Sequence, residues 1–91
     1  MASFRVVLIS GCSTGIGLET AVLLAKDPEK RFKVYATMRN LDKKTALENE
    51  GKDALGDTLI IKAMDVSSDE SVKSAVEEII AQEGKIDDLS K

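Results

Sequence analysis

An apolar run, Val6-Val7-Leu8-Ile9, leads straight into Gly11-Cys12-Ser13-Thr14-Gly15-Ile16-Gly17, and helical spacing starts at once behind the last glycine. Few folds accommodate that order. A continuous β-branched and apolar run suits a strand covered on both faces, as in a parallel sheet. The segment behind the loop carries Ile16, Leu18, Ala21, Val22, Leu23, Leu24 and Ala25, so this helix is apolar around much of its circumference. It should end near Asp27, because Pro28 disfavours helical backbone in the residue before it. Phe32 to Met38 reads as a second strand, Leu41 to Glu50 as a weak amphipathic helix stopping at Gly51, and Thr58 to Met64 as a third strand. Gly51 to Asp57 is the most loop-like stretch. Ser67 stands three residues ahead of Glu70, the spacing of a capping box. Val72, Ala75, Val76, Ile79 and Ile80 then share one helical face, and Gly84 closes the helix. The order β-α-β-α-β-α implies an α/β fold with a parallel sheet joined by right-handed crossovers.

The loop also suggests a ligand. Glycines between a strand and a helix let the backbone approach a pyrophosphate, whose charge is favoured by the free amides and dipole of the helix start. The alternative is a tight turn with no ligand. A Walker-type phosphate loop is excluded, because Gly17 is followed by Leu18-Glu19 rather than Lys-Ser/Thr. Composition narrows the chemistry further. The 91 residues make one domain at most, and 13 basic against 16 acidic side chains leave a net charge of −3, which speaks against nucleic acid as a partner. With no histidine, every Ser-His-Asp and Cys-His arrangement is ruled out. A single cysteine excludes a disulfide framework and a zinc cage, and fits a reducing compartment. No apolar stretch is long enough to span a membrane, and the first residues lack the layout of a secretion signal, so a cytoplasmic location is expected.

The Gly11-x-x-x-Gly15-x-Gly17 spacing resembles the short-chain dehydrogenase/reductase family, with Ser10 in place of the usual threonine ahead of the first glycine. The run from Val6 through Leu18 and the segment Phe32-Lys33-Val34-Tyr35-Ala36-Thr37-Met38-Arg39 look like the branch holding 17β-hydroxysteroid and photoreceptor-type retinol dehydrogenases. The resemblance implies the N-terminal half of a Rossmann-type doubly wound parallel sheet (β-α-β-α-β-α), with a dinucleotide cradle made by Gly11, Ser13, Thr14, Gly15, Ile16 and Gly17. In such a fold, strand 2 ends beside the adenine ribose, where an acid selects NAD. No acid occupies Ala36 to Asn40; Arg39 stands there, 22 positions after Gly17. A guanidinium pairs with a 2′-phosphate that a carboxylate would repel, so NADP is the expected cofactor. The resemblance gives Arg39 that role, helped by Thr14. It also implies that Asp65 contacts the adenine amino group while the Val66 backbone completes that pocket. Bland readings stand beside these: a solvated surface arginine, helix N-caps at Ser13 and Thr14, and a turn-forming aspartate ahead of Ser67. Cys12 is expected to pack rather than react.

The family's Tyr-x-x-x-Lys pair does not occur. The one tyrosine, Tyr35, lies in strand 2 and is followed four positions later by Arg39. The resemblance therefore implies the cofactor-binding part of an NADP(H)-dependent oxidoreductase that interconverts a hydroxyl and a carbonyl on a retinoid or steroid. On this reading residues 1–91 form a partial dinucleotide-binding domain truncated before strand 4, with Val6 to Ile9 left as an unpaired edge prone to association. A lipid-like substrate, a homodimer and membrane-surface association would belong only to a full-length parent. The competing readings are a non-catalytic dinucleotide-binding fragment or partner module, and a Rossmann-like methyltransferase, which Arg39 disfavours.

Overall fold

The computed structural model describes residues 4–90. Strand β1 (Arg5–Ile9) forms from the apolar run, helix α1 (Gly15–Ala25) follows the glycine loop, and β2 spans Phe32–Met38. Helix α2 (Thr45–Glu50), strand β3 (Leu59–Ala63), helix α3 (Asp69–Glu83) and strand β4 (Asp88–Ser90) complete the order. The strands make one sheet in the order β3-β2-β1-β4, and all pairings are parallel. Alternate side chains of β1 go to opposite faces, as strand geometry dictates. Val7 and Ile9 pack with Ala21, Ala25 and Leu47 on the α1–α2 side. Val6 and Leu8 pack with Tyr35, Ala75 and Ile79 on the α3 side. That two-sided cover is why the run is unbroken by polar residues.

Three expectations need correction. The chain does not stop before strand 4, nor does it leave β1 as an edge: β4 pairs with β1 in the register Val7↔Asp88, Leu8↔Leu89, Ile9↔Ser90. Gly84 at φ 83° caps α3 in the left-handed conformation and redirects the chain. Asp87 then clamps the start of β1: its amide donates to the Val6 carbonyl (2.9 Å) and its carboxylate accepts from the Val6 amide (2.7 Å). Backbone pairing, not side-chain apolarity, makes this strand. The segment Leu41–Glu50 is not one helix either. Asn40 accepts from the Asp42 amide and starts a 3₁₀ turn over Leu41–Lys43, which the short α2 follows. Finally, α3 is capped by Ser68, which accepts from the Ser71 amide, rather than by Ser67. The Ser67 hydroxyl is already committed to Asp65.

Among the described residues no helix is long and apolar enough to cross a membrane, and no group of three His, Cys, Asp or Glu side chains is placed to hold a metal ion.

Candidate functional site

The carboxyl ends of β1, β2 and β3 converge on a cleft of about 440 Å³, where open α/β sheets bind ligands. Gly11 and Ser13 line it from the glycine loop, Met38, Arg39 and Asn40 from the end of β2, and Met64, Asp65, Val66 and Ser67 from the end of β3. Lys43 completes the wall. The structure thus brings together Gly11, Ser13, Arg39, Asp65 and Val66 of the residues expected from sequence. Thr14, Gly15, Ile16 and Gly17 stand outside that lining, at the start of α1. Sequence reasoning missed Asn40, Lys43 and Ser67, together with the methionines Met38 and Met64, each only 3% exposed. Lys43 carried no signal of its own while Leu41 to Glu50 read as one helix; the turn that Asn40 starts puts it on this wall.

The loop has its shape for three different reasons. Gly11 (φ 67°) and Gly15 (φ 65°) occupy left-handed backbone, which glycine adopts without a Cβ penalty. Gly17 is needed for space: a Cβ there would stand 2.9 Å from the Gly11 carbonyl carbon and closer still to its oxygen. Between them the Cys12 amide donates to the Thr37 carbonyl (3.0 Å), tying the loop to β2.

The two long helices start differently. Helix α3 satisfies its own N-terminus with the Ser68 hydroxyl and places Asp69 and Glu70 in its first turn. Helix α1 has Thr14 at the N-cap position without a side-chain cap bond, and no acid in its first turn. Thr14 thus holds the N-cap position expected of it, without the side-chain bond that a capping hydroxyl makes. The first amides of α1 have no side-chain cap partner among the described residues.

Arg39 is exposed and, among the described residues, forms no ion pair. Across the cleft, Asp65 Oδ1 accepts from the Ser67 hydroxyl (2.7 Å) and amide (3.0 Å), an Asx turn. Its amide donates to Ser71 Oγ at 2.9 Å. The Ser67 hydroxyl, then its amide, hold the Asp65 carboxyl below the usual carboxylate range, and the positive charge of Arg39 adds to this. Oδ2 accepts no hydrogen bond among the described residues, so it is free for a donor in the cleft. The turn-forming and ligand-facing readings of Asp65 are thus compatible.

Cys12 lies within the loop at 0% exposure, its thiol donating to the Ile9 carbonyl at 3.3 Å. Burial pushes that thiol up to about 11, with a hydrogen bond at the Thr37 backbone opposing. At pH 8 about 0.1% would be thiolate, which makes a poor nucleophile. Iodoacetamide should modify the folded protein far more slowly than the urea-unfolded chain. Equal rates would refute the packing role.

A family model described as short chain dehydrogenase matches residues 5–91. Retinol dehydrogenase 8 of Homo sapiens is 54% identical over 88 residues, covering 97% of this chain and 27% of that protein. The 17-beta-hydroxysteroid dehydrogenase type 1 of Homo sapiens is 46% identical over 87 residues, covering 92% of this chain and 26% of that protein. Among solved structures, YwfH, an NADPH-dependent reductase involved in bacilysin biosynthesis, superposes with a TM-score of 0.78 at 28% identity, covering 94% of this chain and 35% of that one. The chain spans about a quarter of the length of these curated relatives. With residues 5–91 accounted for by one family description, the chain belongs to the short-chain dehydrogenase family.

Proposed function

We propose that the cleft binds the adenosine end of NADP(H), and that the whole protein is an oxidoreductase interconverting a hydroxyl and a carbonyl on a retinoid or steroid. The observation that carries the cofactor reading is Arg39, exposed at the end of β2 with no acid between Ala36 and Asn40. The substrate class is supported by the likeness to retinol and 17-beta-hydroxysteroid dehydrogenases. A cytoplasmic, reducing location is part of the same proposal; it rests on the use of a single cysteine in the chain.

When bound, the nicotinamide supplies or accepts the hydride; this chain's residues hold and orient the other end. The start of α1, which has no side-chain cap bond, would receive the pyrophosphate, and Gly11 would let it come close. Thr14 and Gly15 would shape that approach, and Asp65 Oδ2 and the Val66 backbone, both on the cleft wall, would hold the adenine amino group. Ile16, 83% exposed beside Gly17, offers an apolar side chain at the loop. Tyr35 takes no part in proton transfer here, because its hydroxyl donates to Glu83 on the α3 side of the sheet.

Arg39→Ala in the full chain should weaken NADPH binding about tenfold, the order of one charge-assisted phosphate contact, while NADH changes less than about twofold. Calorimetric titration of both cofactors decides it. Equal losses would sink the assignment.

A further inference from the structure

The cleft holds a second cation that the cofactor reading does not require. Lys43 closes the 3₁₀ turn Leu41–Lys43, and its amide donates to the Asn40 carbonyl at 3.1 Å. The Asn40 side chain accepts from the Asp42 amide at 2.9 Å and fixes the turn directly behind Arg39. Asn40 itself lines the cleft, so the turn grows from the cleft wall. The two neighbouring lysines then separate in role. Lys44 faces Glu48 of α2 at 3.9 Å. Lys43 lines the cleft beside Arg39 and, among the described residues, pairs with no carboxylate.

Charge makes the arrangement informative. The chain carries a net charge of −3, yet this cleft presents Arg39 and Lys43 against the single carboxylate of Asp65. That carboxylate is already engaged by Ser67. Asp42 lies outside the lining. A ribose 2′-hydroxyl gives no reason for a second cation, whereas a phosphate monoester carries about −1.5 to −2 near neutral pH and can engage two. The side chains are complementary: a guanidinium grips two oxygens in a plane, and an ammonium on a long stem supplies a point charge from the side.

We propose that Lys43 is a second ligand of the adenosine 2′-phosphate, acting with Arg39 to set cofactor specificity; this rests on the NADP(H) reading above. The test titrates the full chain with adenosine 2′,5′-bisphosphate and with 5′-AMP, which differ only in that phosphate. Lys43→Met should weaken the bisphosphate about two- to fivefold and leave 5′-AMP unchanged, as for an exposed ion pair. Lys43→Arg should retain affinity, Lys44→Met should behave as wild type, and the Lys43→Met deficit should shrink as salt is raised. Circular dichroism melts confirm that each variant is folded. If Lys43→Met binds the bisphosphate as wild type does, or weakens both probes equally, the proposal is overturned while the role of Arg39 stands. If wild type itself does not distinguish the probes, the NADP(H) reading falls and Lys43 falls with it.

Discussion

Gly17→Ala should lower the stability of the protein by about 3 kcal/mol, the upper range for overpacking a closed site. The methyl group would enter space held by the Gly11 carbonyl group. A side-chain tip can swing away at little cost, but this neighbour is backbone, held in place by the Cys12 amide on the Thr37 carbonyl. Relief would therefore move either the loop or the first turn of α1 off β2. Gly15 provides the contrast. Nothing lies within 4 Å of a Cβ built there, and the only internal penalty is its φ of 65°. Gly15→Ala should cost about 1–2 kcal/mol, the strain of a left-handed L-residue. Gly15→Val adds the strain of a β-branched residue at that φ, so it should cost more than Gly15→Ala and also harm cofactor binding. Urea midpoints of the variants give the ranking, and a Gly15→Ala that is costlier than Gly17→Ala would contradict this division of labour.

Much of the fold was legible because two elements carry their own signal. The run Val6 to Ile9 is apolar on both faces because both faces are covered. Helix α3 shows its apolar face and its Gly84 stop within one segment. The parts that were not legible depend on partners distant in sequence. Strand β4 is polar in Asp88 and Ser90, and exists because β1 offers unpaired backbone and Asp87 anchors the approach. Ser67 and Ser68 are equivalent as caps until Asp65 claims one of them. The break after Lys43 depends on a local Asn40 bond that outweighs the weak helical periodicity of Leu41 to Glu50. For the cleft, Arg39 and Asp65 could be placed by counting from strand ends. Lys43 could not, because only the turn geometry puts it on the same wall.

At the other end of β2 a polar latch should matter as much as the glycine loop. Glu83, in the last turn of α3, is 7% exposed and accepts from the Tyr35 hydroxyl (2.5 Å) and from Lys33 Nζ (2.6 Å). Burial alone would raise its carboxyl, but the Lys33 and Tyr35 hydrogen bonds outweigh that and leave it below the usual range. Burial and the same Glu83 contact push the Tyr35 phenol well above its ordinary value, so it remains a neutral donor. Glu83→Ala would strand both partners, the Lys33 side chain being only 24% exposed. A loss of about 2–3 kcal/mol follows, lowered from the fully buried case by that remaining exposure. Glu83→Gln keeps an acceptor for Tyr35 and should lose less. Because the folded-state pKa is depressed, this contribution is fully present above the unfolded value, about 4.3, and is lost as pH falls through the folded one. Stability measured from pH 6 down to pH 3 should thus decline more steeply in wild type than in Glu83→Gln. Parallel pH profiles would show that the carboxylate is solvated rather than latched. Since β2 runs from Lys33 to the cleft wall at Met38, loosening its partner helix should also weaken adenosine binding, with no contact to the ligand lost.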